Sequence, residues 1–356
     1  MLLSKKIKLI SLIASVCLST MVNAQSEAEP TKVLYNDGPY LIDGKNALQQ
    51  YSIEKNKLKI TNYQGAEHFP AQFPISSSDI YQNVDKIAAI SDIHGQVDIF
   101  IQLLKKNGVI DSAHNWQFGN GHLVITGDIF DRGDTVTEAL WLVYKLEQQA
   151  EKAGGKVHYL LGNHEYMVLR GDERYLHDKY RQTLVLMQRD LKSLLGADTI
   201  LGRWLRSKST IIKINDMVFL HGGIHQDYLD LKLNLTQANQ HFRDSIGLVK
   251  AQMVDNPIYF TLHGSTGPVW YRGYFRDEYL TQAQVDSILK ELEAQYIIVG
   301  HTSFEQLETR FDNRIIAIDS SIKNGKKGEL LLWQKQRFMR ADMQGKQTEF
   351  IPLKAQ

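Results

Sequence analysis

Cysteine is almost absent from this sequence: its 356 residues include one, Cys17. This cysteine lies in an apolar N-terminal stretch, so the rest of the chain can form no disulfide, thiolate nucleophile or cysteine–zinc site. Any metal bound by that part must use His, Asp, Glu or Asn. Excess charge is also absent, because 41 basic residues face 40 acidic ones. We therefore expect no bulk electrostatic field and no nucleic-acid partner.

The N-terminus combines a cationic start with an apolar run. Lysines at positions 5, 6 and 8 surround the start of Ile7–Val22, and Val22-Asn23-Ala24 resembles a signal-peptidase site. Residues 1–24 are therefore predicted to be a signal peptide, which implies export to the periplasm or secretion. The 16-residue run is short for a bilayer, which needs about 20 residues, so we expect no stable membrane anchor. Cleavage would leave 38 basic and 40 acidic residues.

Strand-like and helix-like patterns alternate through the later part of the chain. Residues 25–84 are polar and turn-rich, with one short strand predicted at Lys57–Ile60, and are interpreted as an N-terminal extension. Beyond them, five apolar runs each end in polar residues: KIAAI, HLVIT, KVHYLL, MVFL and YIIV. Helical patterns lie between them, at Val97–Asn107, Val136–Lys152, much of Tyr166–Leu205, and Thr281–Ala294. This alternation predicts an α/β fold whose polar strand ends converge on one pocket.

The C-terminal residues have the pattern of antiparallel strands. RIIAID and GELLLWQ, separated by a turn rich in Asn, Gly and Lys, predict one hairpin. RFMRADM and GKQTEFI predict another. Because no repeat or clear linker interrupts the chain, residues 85–356 are predicted to form a single catalytic domain.

The polar residues at the five strand ends include six metal-ligand types. They are Asp92, His94, Asp128, Asn163, His221 and His301. Taken singly, each has an ordinary explanation as a turn residue, a surface ion pair or a core histidine with satisfied hydrogen bonds. Together they supply nitrogen and oxygen donors that suit Zn, Fe or Mn. Six ligands are too many for one tetrahedral ion, but they suit two ions bridged by a carboxylate, as in two-metal hydrolases.

Five motifs carry a family resemblance. D-x-H-G, G-D-x-x-D-R-G, G-N-H-E, H-G-G and G-H, in this order, resemble the phosphoprotein phosphatase family of calcineurin-like metallophosphoesterases. G-P-V-W-Y-R-G and Ile318-Asp319-Ser320-Ser321 are most similar to its Shewanella-like branch, which has cold-active, tyrosine-specific members. Low proline content, 7 residues, agrees with a cold-adapted source. The resemblance implies a calcineurin-like α/β fold, a two-sheet β-sandwich flanked by helices in four α/β/β/α layers.

The same resemblance implies a role for each site residue. It assigns one metal ion to Asp92, His94 and Asp128, and the other to Asp128, Asn163, His221 and His301. The ions would be divalent or trivalent Mn, Fe or Zn. It assigns the phosphate to Arg132 and Arg272, whose planar guanidinium groups match phosphate oxygens. His164 would be the general acid, oriented by Asp131. The implied mechanism is direct hydrolysis by a metal-bridging hydroxide, without a phosphoenzyme.

Three classes of function remain open at this point. The leading expectation is a phosphatase that hydrolyses phosphate monoesters on a phosphoprotein or phosphopeptide, with phosphotyrosine suggested by the resemblance. The alternatives are a phosphoserine/threonine phosphatase, a dinucleoside polyphosphate hydrolase, and a metal-stabilised binding protein without turnover.

The segment Tyr166–Leu205, which contains Arg170, Arg174, Lys179 and Arg181, either borders the pocket or forms a solvated helical insert. The sequence does not set the oligomeric state.

Overall fold

Apolar runs bounded by glycine and polar residues form the strands of the protein, of which this computed structural model describes residues 34–351. The predicted signal peptide lies outside the described residues. The strands are β1 (Asp37–Asp43), β2 (Leu48–Glu54), β3 (Lys57–Asn62), β4 (Ile80–Tyr81), β5 (Lys86–Ile90), β6 (His122–Ile125), β7 (Lys156–Tyr159), β8 (Ile212–Ile214), β9 (Met217–Leu220), β10 (Tyr296–Val299), β11 (Glu308–Arg310), β12 (Ile315–Ala317), β13 (Glu329–Gln334), β14 (Arg337–Asp342) and β15 (Gln347–Ile351). All five predicted strands are confirmed, as β5, β6, β7, β9 and β10.

Helices occupy the connections between these strands. They are α1 (Val97–Lys106), α2 (Val136–Lys152), α3 (Asn163–Leu169), α4 (Asp178–Met187), α5 (Leu191–Leu194), α6 (Ile200–Arg206), α7 (Gln226–Asp230), α8 (Leu235–Asp244), α9 (Lys250–Met253), α10 (Pro257–His263), α11 (Gly273–Arg276) and α12 (Gln282–Glu291). The predicted helices are confirmed as α1, α2 and α12, and Tyr166–Leu205 holds parts or all of α3 to α6. Within residues 34–351, none of the helices combines the length and apolar character that a membrane span requires.

Two six-stranded sheets pack face to face and form the centre of the fold. Their strand orders are β11-β12-β10-β9-β8-β4 and β15-β14-β13-β5-β6-β7. Successive side chains of a strand point to opposite faces of its sheet. In both sheets, apolar side chains are buried on each of the two faces. Ala89 and Val124 of one sheet pack with Phe219 of the other between the sheets. Ala88 and Leu123 face the opposite way, into the core that includes the helices. This arrangement confirms the predicted α/β fold with two sheets flanked by helices.

The helices α1 and α2, which follow β5 and β6, pack on the outer face of their sheet through buried apolar residues. In α2 the buried residues recur three or four positions apart, as at Val136, Leu140 and Val143, so they form one apolar stripe. The helix α1 buries Phe100 and Leu103 in the same core. Both helices thereby hold the loops that precede them against the ends of the strands.

One of the two predicted C-terminal hairpins is wrong. Strand β12 pairs in parallel with β10 and antiparallel with β11, whereas β13 pairs with β5 and β14. The two apolar runs therefore belong to different sheets, and residues 318–328 cross between them. In a sequence, two apolar runs joined by a turn-rich connection look the same whether or not the two strands pair with each other. The second hairpin, β14 with β15, is confirmed.

The described part of the predicted N-terminal extension is joined to the fold by strands and by a buried carboxylate. Strands β1 to β3 form an antiparallel sheet, in which β3 confirms the strand predicted at Lys57–Ile60, and β4 pairs with β8. The buried Asp37 accepts hydrogen bonds from the hydroxyls of Tyr40 (2.8 Å), Thr137 (2.9 Å) and Thr183 (2.7 Å). These bonds tie β1 to α2 and α4. The boundary at residue 84 stays a prediction.

We expect Asp37→Ala to lower the free energy of unfolding by about 3 kcal/mol, because three buried hydroxyls lose a charged acceptor. Asp43 is a matched control, since its exposed carboxylate pairs with Arg203 at the surface. Asp43→Ala should change the same quantity by less than about 1 kcal/mol. Urea denaturation of both variants measures the difference, and equal midpoints would contradict the role given to Asp37.

Candidate metal centre and active site

The six predicted metal ligands converge at one edge of the two sheets. Each stands just beyond a strand, and all six are buried. One sheet supplies Asp92 and His94 after β5, Asp128 after β6, and Asn163 after β7. The other supplies His221 after β9 and His301 after β10. The carboxyl ends of both sheets therefore contribute to a single site, as the sequence predicts.

Asp128 lies at the centre of this cluster. Its Oδ2 is 3.6 Å from His94 Nε2, 3.8 Å from His164 Nε2 and 3.2 Å from His221 Nε2. Two groups of possible metal ligands share it, one with His94 and His164 and the other with His221 and His301. A carboxylate common to two ligand groups has the position that a bridge between two ions requires.

Asp92 connects the first strand-end loop to the last. Its Oδ1 is 3.7 Å from His94 Nε2, and its Oδ2 accepts a hydrogen bond from the backbone N–H of His301 (2.9 Å). The hydroxyl of Ser91 also donates to Oδ2 (2.5 Å). A Cβ on Gly300 would lie 1.9 Å from the Ser91 hydroxyl oxygen, so only glycine permits this approach.

Two histidine ligand candidates, His94 and His221, are held by hydrogen bonds from their Nδ1 atoms. His221 Nε2 is 2.8 Å from Asn163 Oδ1, while its Nδ1 lies 2.8 Å from the carbonyl oxygen of Thr126. His94 Nδ1 similarly lies 2.6 Å from the carbonyl oxygen of Phe130. In each ring, an Nδ1–H donated to a carbonyl leaves Nε2 on the side of Asp128, where it could bind an ion in its unprotonated form.

His164 and Asp131 form a closely paired imidazole and carboxylate beside this cluster. Nδ1 of His164 is 2.5 Å from Oδ2 of Asp131, and both residues are buried. Burial would lower the pKa of His164, but Asp128 and the bond from Asp131 reverse that effect and raise it. The imidazole is thus favoured in its protonated form. Its free nitrogen, Nε2, points toward Asp128.

The two predicted phosphate-binding arginines lie near different members of the cluster. Arg132 is exposed, and its positive charge contributes to the lowered pKa of His94. Arg272 is partly buried, with its Nη2 3.3 Å from Nδ1 of His301. The nitrogen Nε of Arg272 is buried without a hydrogen-bond partner among the described residues. A buried cationic donor of this kind is available to an anionic ligand.

Several site residues have a strained backbone. A left-handed conformation costs a residue with a Cβ about 1–2 kcal/mol. Positive φ angles occur at Asp92 (51°), His94 (46°), Asp128 (58°), Asp131 (72°), Arg132 (68°) and His301 (65°). Such strain clusters at functional sites, where the surrounding structure holds the residues in place.

Comparisons with known proteins agree with this geometry. A family model described as calcineurin-like phosphoesterase matches residues 85–303. The chain belongs to the calcineurin-like phosphoesterase family. Its fold also resembles that of a Saccharomyces cerevisiae protein serine/threonine phosphatase, with a TM-score of 0.51, 15% identity, and coverage of 73% of this chain and 78% of that one.

Two other relatives place this calcineurin-like phosphoesterase within its family. It is 44% identical to the cold-active protein-tyrosine phosphatase of a psychrophilic Shewanella species, with a TM-score of 0.83, over 88% of this chain and 99% of that one. It is also 26% identical to Shewanella-like protein phosphatase 2 of Arabidopsis thaliana over 284 residues, 66% of this chain and 71% of the relative. These matches confirm the predicted branch and the prediction of a metal-dependent phosphatase.

The residues of this phosphoesterase fit two metal ions. Burial lowers the pKa of His94 to about 3, and burial together with the charge of His221 keeps that of His301 well below its usual range. Both imidazoles are therefore neutral, as metal ligands must be. Burial also opposes protonation of His221, but Asp128 and Asp92 outweigh it and raise its pKa to about 9. An ion would take the place of this proton between His221 and Asp128.

Glu165 supports the site, although no role is predicted for it from the sequence. It is fully buried. Its Oε2 accepts hydrogen bonds from the backbone N–H groups of Asp128 (2.8 Å) and Gly162 (2.7 Å), and its Oε1 from the N–H of Ile129 (2.8 Å) and the hydroxyl of Tyr159 (2.9 Å). Its signals in the sequence are its place at the end of the G-N-H-E motif and its position in the first turn of an apolar helix. Its carboxylate fixes the two loops that carry Asp128 and Asn163.

We expect Glu165→Gln to weaken metal retention about 10- to 100-fold and to lower the free energy of unfolding by about 2–4 kcal/mol. Glutamine has an NH2 group in place of one carboxylate oxygen, and each oxygen of Glu165 accepts from two of the donors named above. Two donors therefore lose their acceptor, whichever oxygen is replaced. Tyr159→Phe is the matched control, because it removes only one of these donors. Metal content after dialysis and urea denaturation of the metal-free protein measure the two effects. Equal behaviour of both variants would contradict the role of the carboxylate.

Proposed function

We propose that this phosphatase acts on phosphoproteins or phosphopeptides, with phosphotyrosine as its preferred residue. The observation that carries the proposal is the buried pair His164–Asp131 beside Asp128, with two guanidinium groups, those of Arg132 and Arg272, near the cluster. A protein that only bound metal would need neither a general acid nor two anion-binding arginines. The 44% identity to a protein-tyrosine phosphatase supports the choice of residue.

The burial and closeness of the cluster support the metal ligands proposed from the family pattern. Asp92, His94 and Asp128 would hold one ion, and the second would be held by Asp128, Asn163, His221 and His301. When bound, the two ions supply an activated water nucleophile and positive charge for the phosphoryl group. Mn, Fe and Zn all suit these nitrogen and oxygen donors.

The residues outside the metal-ligand set would bind the phosphate and move one proton. Arg132 and Arg272 would neutralise charge on the phosphoryl oxygens, since a guanidinium donates parallel hydrogen bonds to them. His164 would give its Nε2 proton to the leaving oxygen. Asp131, bound to Nδ1, would hold the imidazolium in the orientation that this transfer needs.

We also propose that the protein is exported and cold-active. The first proposal is supported by the cationic and apolar N-terminal sequence with its Val22-Asn23-Ala24 site. The second is supported by the seven prolines of the chain and by the relative from a psychrophile. A high melting temperature would argue against cold adaptation.

Reconstitution with metal tests the proposed activity directly. The metal-stripped protein would be supplied with Mn, Zn or Fe and assayed for phosphate release from a phosphotyrosine peptide, a phosphothreonine peptide and a dinucleoside tetraphosphate. We expect metal-dependent turnover that is fastest with phosphotyrosine. Preference for the phosphothreonine peptide would change the substrate residue. Cleavage of the dinucleotide alone would replace the protein substrate, and no turnover with any metal would contradict an enzyme.

The role of His164 can be tested with the leaving group. A phenol has a pKa of about 10, far below that of an aliphatic alcohol, so an aryl ester needs less proton donation. We expect His164→Asn to slow hydrolysis of alkyl phosphates more than that of aryl phosphates. His114→Asn is a control, because His114 lies in the loop before β6, at the opposite end of that strand from Asp128. Equal losses with both substrates would count against His164 as the acid.

A further inference from the structure

Tyr175 lies in the loop between α3 and α4, at the mouth of the site, and contacts two of the proposed catalytic residues. The centre of its ring is 5.2 Å from that of His164 and 5.3 Å from the guanidinium carbon of Arg132. Arg174 approaches the same ring at 5.8 Å. The tyrosine is 45% exposed, and its hydroxyl makes no hydrogen bond within residues 34–351. Part of an aromatic ring is thus presented to solvent directly beside His164.

The loop that carries Tyr175 is held in place. The backbone N–H of Arg132 donates a hydrogen bond to the carbonyl oxygen of Tyr175 (3.0 Å). The next residue, Leu176, is buried in the core. Asp172 accepts hydrogen bonds from the backbone N–H (3.3 Å) and Nε (2.9 Å) of Arg174. The ring of Tyr175, called the platform below, is thus fixed before a ligand arrives. A ligand that packs on it costs little conformational entropy.

Several charged residues of the same segment are paired within the protein. Arg170 pairs with Asp172, and Arg181 pairs with Glu173. Lys179 is buried, and its ammonium group donates to the carbonyl oxygen of Asp134 (2.6 Å). Most of the cationic groups in this segment are therefore engaged within the protein. Tyr175 is the side chain that faces both the site and the solvent.

We propose that Tyr175 determines substrate specificity by packing against the aryl ring of a phosphotyrosine; this inference rests on the proposed function. The leaving oxygen must come within hydrogen-bond distance of His164 to receive its proton. The ring carbon of a phosphotyrosine is bonded directly to that oxygen, so the ring reaches the space beside Tyr175. A phosphoserine or phosphothreonine places only an aliphatic carbon there, and the platform stays uncovered.

The size of the effect follows from the energies of aromatic pairs. Edge-to-face or offset pairs contribute enough to change a rate constant about 3- to 10-fold. A ring that packs on the leaving group contacts it in the enzyme–substrate complex as well as in the transition state. Part of the effect is therefore expected in KM. The effect on an aliphatic phosphate ester should be small.

The test compares matched peptides that differ only in the phosphorylated residue. Values of kcat/KM for phosphotyrosine and phosphothreonine peptides would be measured with the metal-loaded full chain. We expect Tyr175→Ala to lower the phosphotyrosine value about 3- to 10-fold, while the phosphothreonine value changes less than about 2-fold. Tyr175→Phe should retain the wild-type ratio, because the hydroxyl has no hydrogen bond to lose. Tyr279→Ala, at a side chain that is 88% exposed, is the control for loss of a surface tyrosine.

Inhibition by phenylphosphonate and methylphosphonate gives a readout of binding that needs no bond cleavage. Tyr175→Ala should weaken phenylphosphonate about 3- to 10-fold and leave methylphosphonate unchanged. Equal losses for both peptides, or for both phosphonates, would overturn the proposal and make Tyr175 a support for His164 and Arg132. If Tyr175→Ala alters the thermal transition, Tyr175→Leu, which keeps apolar volume without an aromatic face, takes its place with the same expected loss. Absence of wild-type turnover on any peptide would instead overturn the proposed function, and direct phosphonate binding would still decide the role of Tyr175.

Discussion

The arrangement of the whole site depends on one buried carboxylate, that of Asp128. Burial alone would raise its pKa, but His221 and His164 hold the pKa well below its usual range. A buried anion persists only when it is paired and hydrogen-bonded. Here the imidazoles supply the pairing, while Glu165 fixes the backbone of Asp128 from behind. The position of every other ligand is defined relative to this group.

The distance between the two halves of the site is set by the packing of the two sheets. Asp92 and Asp128 belong to one sheet, whereas His221 and His301 belong to the other. Three hydrogen-bond contacts join these halves. The N–H of His301 donates to Asp92 (2.9 Å), and the ring of His221 contacts the carbonyl oxygen of Thr126 (2.8 Å) and Oδ1 of Asn163 (2.8 Å). Apolar side chains between the sheets, such as Val124 and Phe219, therefore influence the metal-ligand geometry without touching it.

The sequence predicted the parts of this protein that local patterns determine. Each apolar run that ended in Asp, Asn or His became a buried strand with a ligand candidate at its end. The hairpin at RIIAID failed because strand pairing depends on partners distant in sequence. Glu165 was missed because nothing local shows that its carboxylate turns back to bind the loop of Asp128. The charge pattern of Tyr166–Leu205 allows two interpretations, a border of the pocket or a solvated helical insert. In the structure Tyr175 lies beside His164, while Lys179 is buried and not solvated.

The left-handed backbone at Asp92, His94, Asp128 and their neighbours limits how the protein can be stabilised. Glycine would relieve the strain at these positions, but it would delete the side chains on which the chemistry depends. Directed evolution for thermal robustness should therefore accept few changes in these loops and find its gains in the sheets, helix caps and surface. The same restriction makes the strand-end loops a poor place for neutral drift, even where a substitution preserves charge and size.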